Sequence, residues 1–249
     1  MKLDKVIAER KNKTIYRDGD VVIKVFNENY SKADILNEAL NLARVEETGL
    51  NVPKIQEVGM VDGKWCIVTD FIDGKTLAQA SLDNPSMEEE YLKLFVEVQL
   101  KIHNQRCALL TKLKDKMTRK ISLSGLDATT RYELSERLNG MPKHIKLCHG
   151  DYIPTNVILN KDGVPYILDW SHATQGNASA DAARTYLQFS LKGKEELAEQ
   201  YLSLFCDMSD TPKQYVQQWM PIVAASQMAK NKPEEKEFLT RWASVCQYE

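Results

Sequence analysis

Residues 148–170 read CHGDYIPTNVILNKDGVPYILDW: a His-Gly-Asp, an Asn five residues after that Asp, two short apolar runs and a closing Asp-Trp. Asp and Asn disfavour strands and favour turns, so polar groups at the mouths of apolar strands mark a site wherever the fold brings them together. Asp162-Gly163 is a dipeptide suited to a two-residue hairpin loop. That register sets Asn156 opposite Asp169 on one face of the sheet, with Cβ atoms about 4.5 to 5.5 Å apart. An amide oxygen and a carboxylate so placed suit magnesium, which takes one or two carboxylates and completes its shell with water and phosphate. Asp151 lies on the loop entering the hairpin, placed to orient or deprotonate a nucleophile while a metal holds a phosphate.

Outward from this stretch, the first 72 residues read as strands with one helix among them. TIYRDGDVVIKVF is two β-rich runs around Asp18-Gly19, and KIQEVGMVDGKWCIVTDF repeats the device around Asp62-Gly63. Between them SKADILNEALNLARVEETG opens with a Ser31-x-x-Asp34 capping box and stops at Gly49, expected at C′. In that helix Ile35, Glu38, Ala39 and Leu42 share the stripe that faces a core. A carboxylate there needs a partner, and Lys24, inside the apolar run VVIKVF, is the candidate; the alternative is a boundary Glu and an edge-strand Lys, both solvated. After residue 73 the periodicity is helical in MEEEYLKLFVEVQLKIHNQ, TTRYELSERLN, KEELAEQYLSLFCD, YVQQWMPIVAASQMA and EEKEFLTRWASVC, with strands expected only in the opening stretch. Tyr91, Leu94, Phe95 and Val98 are expected to form core.

Composition bounds the answer. The chain has 249 residues, 43% of them hydrophobic, enough for one large domain or two lobes with real cores. With 33 basic against 35 acidic residues the net charge is −2, so no global field favours nucleic acid or an anionic membrane. MKLDKVIAERKNK has no apolar h-region and no run approaches the roughly 20 apolar residues of a membrane span, which predicts a cytoplasmic protein. The cysteines at 66, 107, 148, 206 and 246 are scattered and include no C-x-x-C pair, which predicts reduced thiols and neither a disulfide framework nor a structural zinc site.

The ordered set His149-Gly150-Asp151, Asn156 and Ile167-Leu168-Asp169-Trp170 resembles the catalytic loop and metal-binding motif of the aminoglycoside phosphotransferase and choline kinase family, small-molecule kinases with a protein-kinase-like fold. The resemblance extends over most of the chain. VVIKVF is similar to the strand carrying the phosphate-binding lysine, LNEALNL to the helix carrying its glutamate, VTDFIDGKTL to the hinge that holds adenine, and GNASADAART to the segment whose Asp, here Asp181, anchors the catalytic loop. The last 60 or so residues match nothing specific.

The resemblance implies an α+β, two-lobed protein-kinase-like fold: residues 1–72 as a nucleotide-binding lobe with an antiparallel sheet and one helix, and residues 73–249 as a mostly helical lobe carrying the catalytic hairpin. It implies that Lys24 contacts the phosphates of ATP and pairs with Glu38, that backbone near Asp70 and Ile72 holds adenine, that Asn156 and Asp169 bind Mg2+, and that Asp151 accepts the proton of a small-molecule hydroxyl. His149 is expected to brace the loop. The acceptor stays open: an aminoglycoside, a choline-like amino alcohol, a sugar or an amino acid. A polycation would want an acidic pocket, and the acids at hand, Glu195, Glu196, Glu199, Asp207 and Asp210, sit on helices where such charges are normally solvated.

Three departures stand out. The phosphate-covering turn AERKNKTIY has no glycine and offers Lys11, Asn12 and Lys13 instead; Thr69-Asp70 replaces a common Met-Glu pair; Ser171 replaces a frequent Glu. Two other readings compete with an active kinase. One is a nucleotide-binding module without catalysis, supported by the glycine-free turn. The other is a metal-dependent hydrolase using His149, Asp151, Asp169 and His172. Gly74-Lys75-Thr76 is rejected as a P-loop end because Thr69 stands where that motif needs Gly. Cys148 is read as core, since its neighbour His149 points to the other face of a strand.

Overall fold

β-branched and aromatic residues alternate through the N-terminal segments, and glycine turns separate them, so strands form early in the chain. In the computed structural model, which describes residues 2–244, they are β1 (Lys5–Arg10), β2 (Lys13–Asp18), β3 (Val21–Phe26), β4 (Ile55–Val61) and β5 (Lys64–Asp70), followed by the short β6 (Gly74–Thr76), β7 (Lys146–Cys148), β8 (Val157–Asn160), β9 (Pro165–Ile167) and β10 (Thr174–Gly176). The helices are α1 (Lys32–Glu46), α2 (Leu77–Asp83), α3 (Glu88–His103), α4 (Leu113–Ser122), α5 (Ala128–Gly140), α6 (Ala178–Ser190), α7 (Glu195–Ser209), α8 (Lys213–Gln217), α9 (Met220–Met228) and α10 (Lys236–Ala243). They divide between two compact units: Met1–Glu88 with Pro154–His172, and Glu89–Ile153 with Ala173–Glu249.

In the first unit an antiparallel sheet runs in the order β1-β2-β3-β5-β4. Ile23, Val25, Cys66 and Val68 bury one side of it, and Phe26 and Ile67 meet Ile35 and Ala39 of α1 on the other. The Asp62-Gly63 loop forms as expected, with Val61 paired to Lys64 and both loop residues at positive φ, +48° and +76°, the pattern of a type I′ turn. The first hairpin turns one residue later than its Asp-Gly suggests, on Gly19-Asp20, because Asp18 pairs with Val21. Ser31 caps α1 by accepting the Asp34 N–H at 3.4 Å. The helix gives way at Glu47, so Gly49 lies one position beyond the expected C′.

The opening stretch also corrects its own register. Val157 pairs with Ile167 and Leu159 with Pro165, so Asn156 faces Leu168, whose N–H donates to its carbonyl at 2.8 Å; Asp169 is not its partner. The cause is Asn160. Its Oδ1 accepts from the N–H groups of Asp162 and Val164, at 3.0 and 2.8 Å, and stretches the loop to Lys161-Asp162-Gly163. β8 pairs on its other side with β6, a strand the helical periodicity did not disclose.

In the second unit the buried face of α3 is Phe95, Val96, Val98, Gln99 and Ile102, with Tyr91 and Leu94 only half-buried, so the core stripe lies further round the helix than expected. Phe95 stacks on Tyr152 at 4.3 Å between centroids. Every residue of α9 is buried, which makes it a central helix apolar all round; Pro221 in its first turn splits the expected 215–229 helix into α8 and α9. The β7–β10 pair is a further strand element missed by periodicity. Cys66, Cys107, Cys148 and Cys206 are buried thiols, while Cys246 lies outside the described residues.

Gly74 crosses β8 so closely that an added Cβ would sit 2.0 Å from the Leu159 carbonyl oxygen. Gly74→Ala should therefore lower stability by about 1–3 kcal/mol, the range for forced overpacking. Gly140→Ala, with open space around its Cβ, should be near neutral; equal unfolding midpoints for the two variants in denaturant titration would refute the account.

Candidate active site

In the first unit, alternation along β3 buries Ile23 and Val25 in the core and turns Lys24 to the opposite face. Lys24 lines a cavity of about 390 Å³. There it forms a short ion pair with Glu38 of α1, which is 5% exposed. Lys13, at the start of β2, lies 3.6 Å from Glu38 Oε1 and 3.7 Å from Asp169 Oδ2. The four charges form one network. Burial works against the Lys24 charge, yet Glu38 and Asp169 outweigh it and hold its pKa above the ordinary lysine value. Lys13 goes the other way, lowered first by burial and then by Lys24. Asp169 is held well below the usual carboxylate range: burial opposes this, and Lys24 and Lys13 prevail.

Asp169 takes a left-handed backbone, φ +57°, which turns it out of the β9 path and into the cavity wall. Asn156 lines the same cavity, so the two expected metal ligands share it without being cross-strand partners. Ser171, noted only as a departure, donates its hydroxyl to Asp169 Oδ1 at 2.7 Å and aims the carboxylate. Asp70 and Ile72 also line the cavity. The Asp70 carboxylate is engaged by Gln56 Nε2 at 2.6 Å and the Lys54 N–H at 3.2 Å, and the Phe71 ring lies under Arg17 at 3.7 Å. One ionised carboxylate beside an amide oxygen, with room for phosphate oxygens, fits magnesium's preference for few protein ligands. Among the described residues no group of three or more His, Cys, Asp or Glu is placed to hold a metal ion.

In the second unit the His-Gly-Asp loop hangs on a buried carboxylate. Asp181, in the first turn of α6, accepts the N–H groups of His149 at 2.9 Å and Gly150 at 2.7 Å, and its Oδ2 is 3.1 Å from His103 Nε2. Burial alone would raise its pKa, but the His103 bond and charge and the Gly150 N–H lower it. His149 braces the loop, its Nδ1 accepting the Asp151 N–H at 3.2 Å. Asp151 Oδ1 is 3.5 Å from Arg184 Nη2. Arg184 is otherwise fixed, donating through Nε to the Gly150 carbonyl and through Nη1 to Gln227 Oε1 at 3.1 Å. Sequence reasoning missed Arg184. Its only local sign is its position three residues after Asp181, on the same helix face.

Residues 6–215 match the family described as APH: Phosphotransferase enzyme family. No curated protein sequence matches significantly. Among solved structures, a thermostable mutant of the aminoglycoside phosphotransferase APH(4)-Ia in ternary complex with AMP-PNP and hygromycin B is 14% identical, with a TM-score of 0.68 over 96% of this chain and 89% of that one. The choline kinase LicA from Streptococcus pneumoniae is 15% identical with a TM-score of 0.65, over 96% and 87% of the two chains. An aminoglycoside-3′-phosphotransferase of type VIII is 16% identical with a TM-score of 0.64, over 91% of each. At these identities the likeness establishes the protein-kinase-like α+β fold.

Removing one partner from a buried charged cluster costs on the order of 3–5 kcal/mol, so Asp181→Asn should destabilise the chain by about that amount at pH 7 in denaturant titration. Because the folded pKa of Asp181 is lowered, its contribution is fully present above the unfolded value of about 4 and is lost as pH falls through the folded one. The gap between wild type and variant should therefore narrow below about pH 4; a gap independent of pH would overturn the assignment.

Proposed function

The chain belongs to the phosphotransferase enzyme family, and from that premise we propose that it transfers the γ-phosphoryl group of ATP to a hydroxyl of a small molecule with the help of Mg2+. The observation that carries the reading is the Lys24–Glu38–Lys13–Asp169 network lining one cavity of the first unit. Two lysine amines beside a carboxylate and an amide are what a polyphosphate needs, since phosphoryl transfer depends on positioning and charge neutralisation more than on covalent help. In this reading residues 1–72 are the nucleotide-binding lobe and residues 73–249 the catalytic lobe, whose segment 154–172 packs into the first compact unit and brings Asn156 and Asp169 to the nucleotide cavity.

Lys24 and Lys13 hold the phosphates, Glu38 fixes Lys24, and the main chain at Asp70 and Ile72 receives adenine. Asn156 and Asp169 would hold magnesium, which supplies neutralisation of the charge on the transferring group when bound. Asp151 takes the proton of the acceptor hydroxyl as its oxygen bonds to the γ-phosphorus, and the bond to the β-phosphate oxygen breaks to release ADP. The reduced thiols suit a cytoplasmic setting, and no helix of the described residues is long and apolar enough to cross a membrane.

General-base removal typically costs a factor of about 10²–10⁴, so Asp151→Asn should reduce acceptor-dependent ADP release by at least that lower bound while leaving thermal stabilisation by ATP and magnesium intact. Lys24→Met should weaken that stabilisation. Unchanged turnover in Asp151→Asn would refute the base assignment, and stabilisation by ATP without turnover on any acceptor would favour the non-catalytic binding module.

A further inference from the structure

Around Asp151 the second unit gathers cations from three helices. Lys116 and Lys120 are one turn apart on α4 and therefore share a face, Arg184 stands on α6, and Lys230 follows the end of α9, on which α4 and α6 both pack. We infer that the acceptor is an anionic small molecule, whose carboxylate or phosphate group is received by Lys116, Lys120, Arg184 and Lys230 while its hydroxyl meets Asp151; this rests on the phosphotransferase reading above.

Among the described residues, the charged groups that act on these lysines are mostly cations. Facing this cluster are six cations, Lys116, Lys120, Arg184, Lys230 and, further out, Arg119 and Lys232. Against them, among the described residues, stand three acids. Asp181 is buried and engaged by His103 and two peptide N–H groups. Glu235 is held by Lys232 and Gln227, both at 2.6 Å. The third, Asp151, is 3.5 Å from Arg184. The mutual repulsion is legible in the amines: burial, then Arg184, pushes Lys116 down to about 8 and Lys120 to about 7, with Lys116 and Lys230 adding to the latter. An anion placed among them would relieve that repulsion, whereas an aminoglycoside or a choline-like cation would add to it.

The acids that a polycation would require lie elsewhere. Glu195, Glu196, Glu199, Asp207 and Asp210 are exposed on α7 and at its end, and Glu199 is tied to Lys213 and the Tyr186 hydroxyl at 2.6 and 2.7 Å. Arg184, fixed by three partners, is a rigid element of the proposed subsite, while the lysines reach on flexible stems, an arrangement that orients one anionic group and leaves a neighbouring hydroxyl to Asp151.

The test is ADP release with ATP and magnesium across matched acceptors: hydroxy acids and sugar phosphates, neutral sugars and polyols, and choline with aminoglycosides. The anionic class should be turned over with a kcat/KM at least tenfold above the others, and hydroxy acids against sugar phosphates then distinguish carboxylate from phosphate recognition. In Lys120→Met the acceptor KM should rise about tenfold with the KM for ATP unchanged, and Lys120→Arg should restore it. A neutral or cationic acceptor used as well as any anionic one overturns the inference and leaves the phosphotransferase reading standing. An equal rise in the KM for ATP also overturns it, because the lysines would then serve the nucleotide. Turnover of no class overturns it as well, and if ATP also fails to stabilise the chain, the phosphotransferase reading falls with it.

Discussion

Glu38 is a carboxylate on the core-facing stripe of a helix, and that single placement constrains the first unit. A buried carboxylate without a cation would cost on the order of 3–5 kcal/mol, a large part of the 5–15 kcal/mol that holds a domain together. Lys24 must therefore sit on the strand face toward α1, which fixes the parity of β3 and sends Ile23 and Val25 to the other side. Lys13 and Asp169 close the network. The same charges that satisfy the fold leave ammonium groups lining a cavity, so stability and ligand chemistry are two readings of one cluster.

The second unit solves a similar problem with backbone. Asp181 is satisfied by two consecutive peptide N–H groups and a histidine rather than by a lysine, so it dictates the path of the loop at His149 and Gly150 and thereby the position of Asp151. Arg184, from the same helix, bonds the Gly150 carbonyl and holds the loop from its other polar side. One helix thus sets the backbone path of the proposed base and supplies a cation beside it.

What was legible in the sequence was local. Asp62-Gly63, the Ser31 cap and the stripe bearing Glu38 involve residues within a turn or two of each other, and each formed as its pattern implied. The hairpin of the opening stretch was legible as a hairpin, but its register was decided by the Asn160 side chain, whose turn-building bonds compete with the Asp-Gly preference at the same place. Asp181 came to notice through the family resemblance, because nothing in its own segment distinguishes a buried acid from a helix-start acid. Lys13 was one of three residues in a turn lacking glycine. The cations near Asp151 were illegible because they come from α4, α6 and the end of α9, and only packing on α9 unites them.

The pairing of β6 with β8 also bears on how the chain assembles. The five-stranded sheet grows largely from neighbouring hairpins, but Thr76 meets Ile158 only after a loop of roughly eighty residues has closed, an entropic cost met late and once. During synthesis the N-terminal sheet can form with Lys24 and Glu38 in place while Asn156 and Asp169 are still unmade. The cavity lined by Lys24 and Asp169 is therefore a late product of folding, and a chain cut short before residue 154 would keep the lysine and lose the wall that faces it.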